Sequence, residues 1–297
     1  MLVTGATGFI GSAVAKRLDS LGAFVTGTAR RQPASRVIYK IWLGALEDIG
    51  DCRTFIESAK PDVIIHTAGH PFAARDLARV VPTFRDNLQA TVSMLTAAAE
   101  AKVSRVVLCG SLEEPESGNP EEALSSPYSV SKWAASAYAR LFHRLYQLPV
   151  VTARLFMVYG PGQADFTKLI PGSIVKLLRG EAPQIASGDR PVDWTFVDDI
   201  VDGMIAAAAA PGVEGETVDI GTGHLTTVRR IVEMLAELIP GSPAPRVGSV
   251  APRPDEQVRA ARAERTRSQI NWAPAVNVRE GLQRTIEWVR ANPPAAA

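Results

Sequence analysis

Three glycines in seven residues, Gly5-Ala6-Thr7-Gly8-Phe9-Ile10-Gly11, follow the short apolar run Leu2–Thr4 and lead into a helical pattern. No other stretch constrains the chain as much. Glycines there allow a tight turn, and they let a diphosphate approach the helix N-terminus, where unpaired N–H groups and the helix dipole favour negative charge. The spacing is G-x-x-G-x-x-G, not G-x-G-x-x-G. A glycine turn that serves chain geometry alone is the simpler alternative. The strand–loop–helix context favours a dinucleotide site, with Gly5, Thr7, Gly8, Phe9, Ile10 and Gly11 lining it.

The chain continues by alternating short β-rich runs with longer helical patterns, which argues for an α/β fold with a parallel sheet covered by helices. Strands are expected at Leu2–Thr4, Ala23–Thr28, Val37–Leu43, Val63–His66, Arg105–Gly110 and Val150–Phe156. Helices are expected at Phe9–Leu21, Thr83–Ala101 and Tyr128–Tyr146. Further on, helices are expected at Phe166–Arg179, Val197–Ala209, Val228–Leu238 and Arg279–Arg290, with strands at Trp194–Val197 and Thr217–Ile220. Pro240–Pro254, rich in proline, glycine and serine, reads as a loop.

Composition excludes several classes of function. A net charge of +1 gives no basis for nucleic-acid or anionic-membrane binding. No apolar run approaches the length of a membrane span, and Met1-Leu2-Val3-Thr4 lacks the basic region of a signal peptide. Cys52 and Cys109 form no disulfide framework, and the four histidines have no metal spacing. The expectation is a cytoplasmic protein without a metal. His66 closes an apolar strand and reads as packed; Trp194 and Cys109 read as core.

The end of the second strand bears on the cofactor. An acid there would bind the ribose hydroxyls of NAD and repel a 2′-phosphate. Instead the chain reads Thr28-Ala29-Arg30-Arg31, and guanidiniums suit a phosphate. NADP(H) is therefore expected at Arg30 and Arg31, with NAD(H) the alternative and two solvated loop arginines the simpler reading.

Ser111 follows the fifth strand at the carboxyl edge, where open α/β sheets bind ligands. Tyr128 and Lys132, four apart, share a helix face. A serine hydroxyl can hold a carbonyl or hydroxyl oxygen, a tyrosine can carry the proton, and a lysine beside it can keep the phenol acidic.

Taken together, Gly5–Gly11, Ala68-Gly69, Asn87 to Ala98, Ser111, Tyr128/Lys132, Arg154–Gly162, Asp193–Asp199, Ile220–Gly223 and Arg253-Pro254 resemble the extended short-chain dehydrogenase/reductases of the nucleotide-sugar epimerase/dehydratase family. The resemblance implies a Rossmann doubly wound sheet over residues 1–158, with 192–222 returning to it. It implies a smaller substrate-binding subdomain from 159–191 and 223–292, and a tail at 293–297. It makes Ser111, Tyr128 and Lys132 catalytic, backs the cofactor with Ala68 and brings Arg253 to the diphosphate of a nucleotide-diphosphate sugar. It also implies a homodimer paired through Thr83–Ala101 and Tyr128–Tyr146. The chain departs from the family in three places: Ala45 replaces an adenine-contacting acid, Met157 a substrate-contacting asparagine, and Val192 an arginine for which Arg190 is close enough to substitute.

The triad alone does not choose a reaction. In Gly110-Ser111-Leu112-Glu113-Glu114, Glu113 is in register with the glutamate of 4,6-dehydratases, but Leu112 stands where one dehydratase type has an acid. The stretch is also similar to 4-keto-6-deoxy-sugar reductases of the GDP-mannose dehydratase branch. Reduction at C4 by NADPH is the expectation, with Glu113 positioning a sugar hydroxyl. A 4-epimerase, a 4,6-dehydratase with Glu113 as base, and a non-catalytic NADP-binding redox sensor are the alternatives.

Overall fold

The computed structural model describes residues 1–33, 37–71, 73–115, 125–249 and 257–294. The chain divides into two compact units, of which the first contains Met1–Leu155, Val201–Ile220 and Glu264–Trp272.

Seven parallel strands form the centre of this first unit. In chain order they are β1 (Leu2–Thr4), β2 (Thr26–Ala29), β3 (Lys40–Leu43), β4 (Val63–His66), β5 (Arg105–Ser111), β6 (Val150–Leu155) and, after three strands of the second unit, β10 (Thr217–Ile220). Their spatial order is β10-β6-β5-β4-β1-β2-β3. β1 pairs with β2 on one side and β4 on the other, so the winding reverses between β1 and β4. Ligands of open α/β sheets bind at such a switch point, beyond the strands' carboxyl ends. All but the edge strand β3 are buried almost throughout, as parallel strands covered on both faces must be; β3 has no fully buried residue. The expected α/β doubly wound sheet is the observed one.

Helix α1 (Phe9–Ser20) buries Val14, Ala15 and Leu18, the stripe that its apolar spacing prescribes. Helix α2 (Ile49–Ala59) is not among the expected elements. The Asp48 carboxylate caps it by accepting from the amides of Gly50 and Asp51, and Phe55 and Ile56 anchor it in the core. The expected helix Thr83–Ala101 is interrupted. It consists of α3 (Val80–Thr83), a π-helical turn at Phe84–Gln89, and α4 (Ala90–Glu100). The widened turn carries two buried polar residues, Asp86 and Asn87; π turns often mark functional sites. Helix α5 (Pro127–Tyr146) starts with Pro127 in its first turn and a reciprocal Ser126/Ser129 capping box.

The second unit comprises Phe156–Ile200, Gly221–Ala263 and Ala273–Ala297. Residues 192–200 lie here, while Glu264–Trp272 lies in the first unit. Its elements include β7 (Met157–Tyr159), α6 (Leu169–Leu178), β8 (Gln184–Ile185) and β9 (Pro191–Phe196). β11 (Leu225–Thr227), α8 (Val228–Leu238), β12 (Arg246–Val247) and α10 (Val278–Ala291) complete it, whereas helix α7 (Val197–Ala209) from Val201 onward and helix α9 (Ala263–Ile270) from Glu264 onward belong to the first unit. β9 lies between β7 and β11 in a three-stranded sheet. The segment expected to be all loop contains β12, which pairs with β8. Asp193 is a hub: Oδ1 accepts from the amide and hydroxyl of Thr222, and Oδ2 from the amides of Gly223 and Ala261.

Candidate active site

The glycine loop leaves no room for side chains. Gly5 has φ +65°, in the left-handed region, and a Cβ there would lie 2.8 Å from the Ala68 Cα. Gly11 packs so closely that a Cβ would collide with the Gly5 carbonyl and with Thr67 Oγ1. Thr4 ties the two loops together: its carbonyl accepts from Thr67 Oγ1 at 2.6 Å, and its hydroxyl accepts from the Ala68 amide at 3.2 Å. Ala68 therefore backs the turn directly. Thr7 and Gly8 face solvent, Phe9 and Ile10 are half-buried, and no side chain caps the α1 N-terminus. A narrow cradle of backbone N–H groups at an uncapped helix end fits the diphosphate of a dinucleotide.

Arg30 ends up in an ion pair. Its Nη1 donates to Asp86 Oδ2 at 2.7 Å, while Arg85 Nε donates to Asp86 Oδ1 at 3.0 Å. Burial pushes the Asp86 carboxyl up, but the hydrogen bonds and charges of Arg30 and Arg85 outweigh it and leave a net lowering. Arg31 is exposed. The two arginines are visible in the sequence; the acid that holds Arg30 and the π turn that carries it are not.

At the carboxyl end of β5 the three expected residues meet. Ser111 is buried, its hydroxyl faces the Tyr128 phenol closely enough to favour the phenolate, and it accepts from the Glu113 amide at 3.2 Å. Lys132 is buried on the same helix as Tyr128, and its ammonium donates to the Cys109 carbonyl at 2.8 Å. Burial pushes the Tyr128 phenol well above its ordinary value; the Ser111 hydroxyl offsets this in part, while Cys109, Glu113 and Glu114 add to it. The Lys132 ammonium is directed to the β5 carbonyl in this structure. Asn87 supports this corner from the π turn: Oδ1 accepts from the His70 amide, and Nδ2 donates to Ser131 Oγ.

Of the glutamate pair, the backbone N–H of Glu113 serves Ser111, and Leu112 is buried. Glu114, which is not among the expected site residues, is turned inward onto the Ser111 amide. His66 is packed as expected, bridging Thr4 and Thr91 through its two ring nitrogens. In the second unit, Met157 opens β7 opposite Trp194, and Arg190 Nη2 donates to the Gln257 carbonyl. Val192 is buried in β9, and Trp194 is core, donating to the Thr226 carbonyl. Arg253 lies outside the described residues. Among the described residues no His/Cys/Asp/Glu cluster could hold a metal ion, and no helix is long and apolar enough to cross a membrane.

Comparison with known proteins shows the family and the fold. Residues 1–221 match the sequence model of the NAD dependent epimerase/dehydratase family. The chain is 29% identical to the UDP-glucuronate 4-epimerase of Thermodesulfobacterium geofontis, covering 98% of this chain and 96% of that protein. It is 30% identical to the dTDP-glucose 4,6-dehydratase of Neisseria gonorrhoeae, with the same coverages of 98% and 96%. Among solved structures, MoeE5 in complex with UDP-glucuronic acid and NAD superposes with a TM-score of 0.87 at 30% identity, covering 98% of each chain.

Proposed function

The chain belongs to the NAD dependent epimerase/dehydratase family, and from that premise we propose that it interconverts an alcohol and a ketone at C4 of a nucleoside diphosphate hexose or hexuronate. The observation that carries this reading is the convergence at the end of β5 of the buried Ser111 hydroxyl and the Tyr128 phenol it faces, with Lys132 buried one turn along the same helix. That set supplies one proton relay to one oxygen. A 4,6-elimination needs in addition a base for the C5 proton and an acid for the C6 hydroxyl; Glu113 would be available as the base, but the buried Leu112 supplies no acid.

The bound nicotinamide cofactor would take the hydride from C4 and return it. The Gly5–Gly11 cradle would hold its diphosphate. Ser111 would hold the C4 oxygen by its hydroxyl, already oriented by the Glu113 amide. Tyr128 would take the proton from that oxygen on oxidation and give it back on reduction. Lys132 would stabilise the charge that develops on the phenol.

Return of hydride to the opposite face of the same sugar is 4-epimerisation. This is the first reading, supported by the UDP-glucuronate 4-epimerase relative and by the uronic acid and NAD held by MoeE5. Net reduction of a 4-keto-6-deoxysugar by NADPH is the second reading, favoured by Arg30 and Arg31 at the end of β2. Incubation with UDP-glucuronate, UDP-glucose and dTDP-glucose, with products resolved by chromatography, tests the first. The epimer with no net change in nicotinamide absorbance is expected. A 4-keto-6-deoxy product, or stoichiometric NADPH oxidation with a ketosugar, would replace that reading.

We also infer a homodimer. On α5, Val130, Tyr138, Leu141, Leu145 and Tyr146 stay exposed, and Val80, Val81 and Phe84 do so on the neighbouring α3 and π turn. Exposed apolar side chains gathered on neighbouring elements suit a protein contact, and pairing with a second copy of the same surface would cover them.

A further inference from the structure

Glu114 is 2% exposed, although a charged side chain is seldom buried so deeply without a specific partner. Both backbone groups of Ser111 are tied to it. The Ser111 N–H donates to Glu114 Oε1 at 2.6 Å, and the Glu114 N–H donates to the Ser111 carbonyl at 3.1 Å. The preceding residue must be small: a Cβ at Gly110 would lie 2.7 Å from Glu114 Oε1. With its backbone closed on Glu114, Ser111 has only its hydroxyl to offer, and that hydroxyl meets Tyr128.

The carboxylate sits in a group of buried charges. Lys132 and Ser136 face it from α5 and Arg154 from β6. Arg154 Nη1 in turn reaches Asp219 Oδ1 on β10 at 3.3 Å, while its Nε is buried without a hydrogen-bond partner among the described residues. Cys109 on β5 and Tyr128 on α5 are the other titratable groups that feel its charge. A turn of this shape needs an acceptor but no charge, and burying an ion is costly unless it is paired and hydrogen-bonded. A charge kept at such a position argues for a role in the chemistry next to it.

We propose that Glu114 is a positioning residue for the Ser111–Tyr128 relay, fixing the serine through its backbone amide and setting the pH range in which the relay works. This rests on the reading that Ser111 and Tyr128 carry the reaction. Burial raises the Glu114 carboxyl above its ordinary value, with Ser136, Arg154, the Ser111 amide and Lys132 opposing. Protonation would therefore occur above the usual carboxylate range and weaken the hold on the Ser111 amide.

The test has two arms. The amide nitrogen of Ser111, followed by NMR, should titrate with an apparent pKa above that of a free glutamate, and Glu114→Gln should abolish that titration. In the activity arm, the acidic limb of the kcat profile should follow the same pKa. Glu114→Gln should lose this limb and lower kcat about tenfold with KM within about twofold. Glu114→Asp keeps the charge but withdraws the carboxylate from the amide, and should lower kcat while retaining a titrating limb. A folded Glu114→Gln protein with wild-type kcat and an unchanged acidic limb overturns the proposal, as does a Ser111 amide that does not titrate. If the wild type turns over none of the nucleotide sugars, the functional reading has failed. The Ser111 titration then decides the positioning role alone.

Discussion

Arg30 Nη1 and Asp86 Oδ2 lie 2.7 Å apart and join the end of β2 to the π-helical turn. The Arg30 side chain remains 57% exposed and that of Asp86 only 7%, so the acid anchors the guanidinium while most of its N–H donors stay available. An anchored arginine loses less freedom on binding than a loose one and makes a better partner for a 2′-phosphate.

Arg30→Ala should therefore weaken NADPH binding about 10- to 100-fold and NADH binding about twofold or less. Asp86→Asn should weaken NADPH in the same direction by a smaller factor, because Arg30 is released but not removed. Fluorescence titration of both reduced cofactors measures this. Equal loss for the two cofactors would mean that Arg30 has no part in choosing between them.

Tyr128→Phe should lower kcat by about 10²- to 10⁴-fold, the range for losing a positioned proton carrier. Cofactor affinity should hardly change, since the ring remains and only the hydroxyl is lost. Ser111→Ala should also lower kcat, since it removes the hydroxyl that faces Tyr128. Single-turnover kinetics beside a cofactor titration separate the two effects. Full turnover by the phenylalanine variant would show that Tyr128 is not the proton carrier; a wild type that binds cofactor and turns over no nucleotide sugar would return the chain to the class of nucleotide-binding sensors.

His66 makes stability depend on pH. Burial, with a smaller contribution from the Lys132 charge, pushes its pKa down from 6.5 to about 3. Between those values the unfolded chain binds a proton that the folded chain does not, so stability falls as pH drops from 6.5 towards 3. The expected slope from this residue approaches about 1.4 kcal/mol per pH unit within that window. His66→Gln should lose this slope while costing stability near neutral pH through altered bonds to Thr4 and Thr91. Urea unfolding of both proteins at several pH values reads the difference; parallel slopes would show that His66 is not the titrating group.

Leu145→Glu combined with Leu141→Glu should yield a monomer if the α5 face pairs two copies, since two carboxylates would be brought into an apolar contact. Analytical ultracentrifugation of the wild type and the variant at matched concentrations checks this. A wild type that sediments as a monomer across the micromolar range would refute the dimer.

What is legible in the sequence is local in the chain. The glycine loop is a strand, a turn and a helix in succession, and Tyr128 and Lys132 are one helical turn apart. Their spacing carries their geometry. Asp86 is illegible as a partner of Arg30 because the two come together only through the sheet order and an irregular turn that periodicity does not announce. Glu114 is illegible for a different reason: strand alternation assigns faces along an extended segment, but the chain turns back at Ser111. Asp48 ahead of Gly50 and Asp51 is an available capping signal for α2, and Cys52, Phe55 and Ile56 lie at helical spacing, so this helix is legible in the sequence too. In the second unit, short strands such as β8 and β12 take their identity from each other, and neither segment alone carries that information.

The register of β10 against β6, with Thr217 opposite Thr152 and Ile220 opposite Leu155, has a consequence for synthesis. A chain emerging from the ribosome completes Val150–Leu155 long before Thr217 appears. In that interval β6 is the open margin of a growing parallel sheet, its apolar face and free amides available to any neighbouring nascent chain. Residues 156–200, which belong to the other unit, are made meanwhile. The first unit thus finishes folding only after part of the second exists, and a chain truncated after β6 would carry that unsealed margin permanently.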